Sequence, residues 1–211
     1  METIETKKEA WNIVQGLSKP SKMPGYSYGL PAAECNVGSK LRQIPGSVCS
    51  DCYALKGNYT RYPAIIAAQY RRLEAIQLSA WVPAMIKLIN GSDFFRWHDS
   101  GDIQNLDHLA KICAVCRGCP GTKFWCPSRE AKLVNDYVKA GNVIPDNLVI
   151  RLSAVMVDSP KLPNYATTSS VHTSDLMAVG RTCPAPGTNG ECRDCRACWD
   201  PTIANISYHK H

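Results

Sequence analysis

"DFFRWHDSGDIQNLDHLAKICAVCRGCPGTKFWCPSRE", residues 93–130, decides the fold. It opens with an apolar and aromatic run, "DFFRWHDSGD", halted by a polar cluster, which reads as a buried strand and the loop at its C-terminal end. "NLDHLAKICAVCRG" then repeats apolar residues at helical spacing, and "TKFWCPSRE" is a second strand and loop. The alternation continues with "AKLVNDYVKAG", a helix with a glycine stop, and "NLVIRLSAVMVD", a third strand. Strand, helix, strand, helix, strand implies right-handed crossovers and a parallel sheet. The expected class is α/β: a small parallel sheet or partial TIM-like barrel with crossover helices and a loop-rich, cysteine-rich C-terminal segment.

Upstream, "PAIIAAQYRRLEAIQLSAWV" opens with proline at a first-turn position and reads as the longest helix, with the arginines of "QYRRLEAIQ" on a solvated face. "PAMIKLIN" is a second short helix. Residues 1 to 18 have helical spacing until "SKPSKMPGYSYGLP" breaks it, and residues 31–62 are loop-rich, a length that calls for a function or a metal to order it. Downstream, residues 158–182 are polar and turn-rich, with "SSVHTSD" as an edge strand. The 211 residues suit a single domain. Its parts are an N-terminal helix and cysteine-containing loop (1–62), an α/β core (63–157) and a C-terminal cysteine segment (158–211).

Hydrophobic residues at 45% and charged residues at 20% exclude wholesale disorder. No apolar run reaches the roughly 18 residues that span a bilayer, and the charged start lacks a secretion signal, so a cytoplasmic protein is expected. In a reducing compartment eleven cysteines, an odd number, point to metal or cluster ligation rather than disulfides. The net charge of +6 is scattered and identifies no nucleic-acid-binding face.

In parallel α/β folds ligands gather at the C-terminal ends of strands. Those ends carry His98, Asp99, Ser100 and Asp102, then Cys126, Ser128 and Arg129, then Arg151 and Ser153. Asp102 and Ser128 also suit helix caps. His98 and Arg129 do not help a helix start, so His98, Asp99, Asp102 and Arg129 are the candidate catalytic residues, suited to a small anionic ligand.

The cysteines fall into three sets. Cys183, followed by Pro184, is separated by a glycine-containing turn from the CxxCxxC of Cys192, Cys195 and Cys198. That spacing lets three thiolates converge on one cluster face while a remote cysteine supplies the fourth ligand, which places a 4Fe-4S cluster ahead of tetrahedral zinc. Cys113, Cys116, Cys119 and Cys126 have similar spacing, but the first two lie on an apolar helix stripe, so core packing and a second cluster both remain open. Cys35, Cys49 and Cys52 are second-rank metal ligands. Three cysteines on one loop suggest the radical S-adenosylmethionine enzymes, although the spacing departs from their CxxxCxxC.

The blocks "YSYGLPAAEC", "CSDCYALKGNYTRYP", "FFRWHDSGDI", "KFWCPSRE" and "CPAPGTNGECRDCRACWD" resemble, in order and spacing, the bacteriophage "gene product 88" proteins. The resemblance implies a phage or prophage origin, action in the host cytoplasm, and an α/β domain similar to part of the radical-enzyme barrel. It supports Cys183, Cys192, Cys195 and Cys198 most firmly, then Cys49 and Cys52, then His98, Ser100, Gly101 and Asp102. It gives less support to Cys113, Cys116 and Cys119, and so favours one cluster over two.

The leading expectation is an iron-sulfur protein with a redox role on a small anionic substrate, served by a redox partner. A zinc-stabilised module binding nucleic acid or a host protein, with Tyr26, Tyr28, Tyr53, Tyr59 and Tyr62 stacking on bases, is the alternative. A radical enzyme using Cys35, Cys49 and Cys52 is a further one.

Overall fold

The computed structural model describes residues 4–210. Among them are helices α1 (Lys7–Ile13), α2 (Asn36–Leu41), α3 (Asn58–Arg61), α4 (Pro63–Ala75), α5 (Trp81–Ile89), α6 (Leu106–Gly118) and α7 (Ala131–Lys139). The strands are β1 (Tyr26–Tyr28), β2 (Phe94–Trp97), β3 (Lys123–Ser128), β4 (Leu148–Ser153), β5 (Thr168–His172), β6 (Arg181–Thr182) and β7 (Asn205–His209). They form one sheet in the order β1-β2-β3-β4-β5-β7-β6, every neighbouring pair parallel. The first five strands are sequential, as in a TIM barrel, but β1 and β6 remain edges, so the barrel is open.

Alternation along the strands divides the molecule into two layers. Tyr28, Phe95, Trp97, Phe124, Cys126, Leu148, Ile150 and Leu152 join the main core, together with Trp81, Met85 and Ile89 of α5 and Leu109, Ile112 and Cys116 of α6. Trp125, Val149 and Ile206 belong to the other side of the sheet and are buried with Ala197 and Trp199 of the cysteine segment. Trp199 packs edge-on against Phe94 and Trp125, with ring centroids 5.5 and 5.2 Å apart, and its Nε1 donates to the Phe95 carbonyl at 2.9 Å. The C-terminal segment therefore covers the face that the helices leave bare.

The predicted strands at 94–97, 123–128 and 148–153 and the helices between them are present. Several other expectations are corrected. The helix expected over residues 1 to 18 spans Lys7–Ile13, closed by a Thr6/Glu9 capping box; residues 1–3 of that expectation lie outside the described residues. The long helix from Pro63 stops at Ala75, and Trp81 and Val82 begin α5 with Pro83 in its first turn. Arg72 is buried rather than solvated: its Nε donates to the Gly16 carbonyl at 3.1 Å and its Nη1 to Ser18 Oγ at 2.8 Å. "SSVHTSD" supplies an interior strand, β5, not an edge. Residues 31–62 are a chain of short helical turns rather than a loop without secondary structure, and β1, β6 and β7 were not expected.

β5 and β7 pair largely through polar residues. Ser170 Oγ donates to Ser207 Oγ at 3.2 Å, Asn205 Nδ2 to Ser170 Oγ at 3.0 Å, and His172 Nδ1 lies 2.7 Å from Ser207 Oγ, all buried. No helix among the described residues is long and apolar enough to cross a membrane.

Candidate functional site

The loops after the strands surround a cavity of about 510 Å³ at the C-terminal mouth of the sheet. Its walls include His98, Asp102 and Arg129 from the loops after β2 and β3, Ser153 from β4, and Tyr208 and Lys210 from the C-terminus. Its rim carries Cys35, Cys49 and Cys52.

The predicted strand-end residues meet there in different ways. Asp102 is buried and accepts from Ser128 Oγ at 2.6 Å, Arg129 N at 2.8 Å and Ile103 N at 2.8 Å, which ties the loop after β2 to the loop after β3. Burial pushes its carboxyl up to about 6 despite those three donors. Asp99 is not a wall residue. It accepts from Ser27 Oγ at 2.5 Å and Tyr59 Oη at 3.3 Å, and its backbone carbonyl accepts from Tyr53 Oη at 2.7 Å. His98 has φ +60° and is almost fully buried, with Nδ1 3.1 Å from the Tyr28 carbonyl. That contact makes Nδ1 the protonated nitrogen and leaves Nε2 without a partner, while burial lowers the ring to about 4 and keeps it neutral. Gly101, at φ +81°, gives the loop its tight path: a Cβ there would lie 2.6 Å from Leu30 Cβ.

Arg129 donates through Nη1 to the Ala154 carbonyl and also hydrogen-bonds Cys49. Arg151 does not face the cavity. Its guanidinium donates to the carbonyls of Cys198 (3.0 Å), Ala197 (2.9 Å), Asp200 (2.7 Å) and Ile203 (2.8 Å), so it clamps the cysteine segment onto β4.

Arg96 is a wall residue that the sequence reading missed. It stacks over Trp125 at 4.5 Å, donates to Tyr53 Oη at 3.1 Å and has an Nε without a partner. Among the described residues neither Arg96, Arg129 nor Lys210 forms an ion pair. The signal was the alternation in "FFRW": Phe95 and Trp97 enter the helix-side core, so Phe94 and Arg96 must face the other way.

The four C-terminal cysteines share one neighbourhood. Burial raises the thiols of Cys183, Cys192 and Cys198, and the charges of the set raise them further: Cys195 acts on Cys183, Cys183 and Cys195 on Cys192, and Cys183 on Cys198. Cys183 N donates to the Ser207 carbonyl and Cys192 N to the Lys22 carbonyl, each at 2.8 Å, with Asn189 (φ +56°) and Gly190 (φ +80°) turning the chain between them. Cys198 Sγ lies 3.1 Å from Tyr208 Oη. By contrast Cys113, Cys116, Cys119 and Cys126 are fully buried within the main core. Among the described residues no group of three or more His, Cys, Asp or Glu side chains is arranged to hold a single metal ion.

Fold and site together define an α/β protein with an open, TIM-like parallel sheet and a cysteine-lined cavity at its mouth. The family description "Gene product 88" matches residues 3–201, and the chain belongs to that phage protein family. Comparison with curated proteins and with solved structures returned no match.

Proposed function

We propose that the chain is a cytoplasmic iron-sulfur protein with a redox role, in which Cys183, Cys192, Cys195 and Cys198 hold a 4Fe-4S cluster and the cavity takes a small anionic ligand. The observation that carries this reading is Tyr208, which lines the cavity while its hydroxyl lies 3.1 Å from Cys198 Sγ. The four-thiol site thus abuts the space where a ligand would sit.

The donor set suits a cluster better than zinc. Zinc sites usually draw on two separated CxxC pairs, whereas Cys192, Cys195 and Cys198 stand at successive three-residue steps with Cys183 remote from them. A cubane spreads its thiolates over the corners of a larger core, so ligands that share a neighbourhood without meeting at a point fit it. When bound, it supplies single-electron exchange with a redox partner.

The chain's own residues do the rest. Arg151 fixes the backbone of Cys198, and Trp199 seals the face beneath it. Arg96, Arg129 and Lys210 bring cationic charge without carboxylate partners among the described residues, which attracts an anion into a partly desolvated cavity. Asp102 stays committed to three donors, which hold its carboxylate away from an incoming anion.

Anaerobic purification with iron and sulfide analysis and a visible spectrum tests the reading. A brown protein whose C195S variant loses the chromophore of this site is expected. A colourless protein carrying stoichiometric zinc overturns it.

A further inference from the structure

We propose that Cys35, Cys49 and Cys52 form a second iron-sulfur site, in which three thiolates leave one iron of a 4Fe-4S cluster open to the cavity for a chelating carboxylate ligand. This deepens the redox reading by naming where the ligand meets iron, and separate iron counts for the two cysteine sets distinguish their failures.

The three thiols are brought together by the string of short helical turns. Cys35 stands at the start of α2, Cys49 lies in the turn Val48–Asp51, and Cys52 precedes the turn Tyr53–Leu55. A Cβ built on Gly38 would lie 3.7 Å from both Cys35 Sγ and Cys49 Sγ, so the two sulfurs flank one point. Cys52 joins them on the same cavity wall. The loop is held independently of any ligand. Val48 N donates to the Val155 carbonyl at 2.9 Å, Ser47 bridges to Met156, and Glu130 accepts from Val37 N at 2.9 Å. Such anchoring fixes the thiols before metal arrives.

These are the three cysteines on the cavity wall, and the carboxylates there are engaged. Asp102 is bound by three donors and Asp51 pairs with Lys56, while buried His98 has Nδ1 against the Tyr28 carbonyl and Nε2 without a partner. A cubane with three thiolates has one iron without a protein ligand, and here that iron would face the cavity. The surroundings select its ligand. Arg129 sits against Cys49, and Arg96 lines the same space with an unpartnered Nε, so a carboxylate beside the open iron meets two guanidinium groups. A second donor next to that carboxylate, an amine or a hydroxyl, completes a chelate.

The test begins with the unmodified protein, reconstituted anaerobically with iron and sulfide. Mild ferricyanide oxidation should release the iron that lacks a thiolate and leave the electron paramagnetic resonance signal of a 3Fe-4S cluster. In the reduced protein, S-adenosylmethionine as the amino-acid probe or citrate as the hydroxy-acid probe should shift the cluster signal, and which of them does so identifies the second donor. The C35A/C49A/C52A variant should keep its circular dichroism, hold about half the iron and lose both responses. Unchanged iron in that variant overturns the proposal. So does an unmodified protein with neither the oxidised signal nor a shift with either probe. A triple variant that holds no iron at all would instead support this site and sink the C-terminal one.

Discussion

Replacing Arg151 by methionine keeps a long apolar stem but removes every donor of the clamp. Four carbonyls of the cysteine segment, those of Ala197, Cys198, Asp200 and Ile203, lie 2.7 to 3.0 Å from its guanidinium nitrogens, and that of Thr168 lies at 3.4 Å. Hydrogen bonds to a charged group contribute about 1.5–3 kcal/mol each, and an orphaned buried carbonyl costs about 1–3 kcal/mol. Summing them would overshoot, because the turn can loosen and let water reach some of the carbonyls. A net loss of about 4 kcal/mol is expected, a large share of the roughly 5–15 kcal/mol that holds a typical domain. Urea unfolding followed by circular dichroism measures the loss, and iron content measured alongside shows whether Cys198 is still held. Lysine at 151 should fall between, since one ammonium cannot reach all four carbonyls. A methionine variant that loses less than about 1 kcal/mol, within the range of an ordinary surface change, and keeps its iron would refute the clamp.

Other substitutions probe separate parts of the molecule. In the folded chain the Asp102 carboxyl rises from 3.8 to about 6. The folded state therefore holds this proton more tightly, and stability should fall as pH climbs between those values and level off above them. D102N, which does not titrate, should lack that slope in pH-dependent unfolding. C116A should cost about 1–2 kcal/mol, as loss of a small buried side chain, and leave iron content unchanged, since Cys116 sits in the main core. W199F should cost about 1 kcal/mol for the lost hydrogen bond to Phe95, whereas W199A should cost about 3–5 kcal/mol and uncover the sheet face.

The central α/β units were legible because strands covered on both faces read as apolar runs, and "FFRW", "KFWC" and "LVIRL" do so. β1 and β6, with three and two residues, are too short to show a period. β5 and β7 were hidden for a different reason. Apart from Ile206, their buried positions are Thr168, Ser169, Ser170, His172, Asn205 and Ser207, polar groups of which most satisfy one another across the pair, so they look like surface when read singly. The same blindness applies to Arg72 and Arg151, whose burial depends on distant carbonyls that no local pattern reveals. The C-terminal cysteines stood out by spacing alone. The convergence of Cys35, Cys49 and Cys52 on a cavity depends on tethers to the loops after β4 and after β3, which lie far away in sequence.

The strand order carries a consequence for assembly. β7, the last strand among the described residues, lies between β5 and β6, so the polypeptide leaves β6, makes its excursion through all four C-terminal cysteines and returns to fill a gap already flanked. The final third of the sheet closes only when that excursion is compact enough to bring its two ends together. Whatever gathers the four thiols therefore also shortens the loop that delivers β7, and under the proposed cluster reading loading would be a folding event as well as a chemical one.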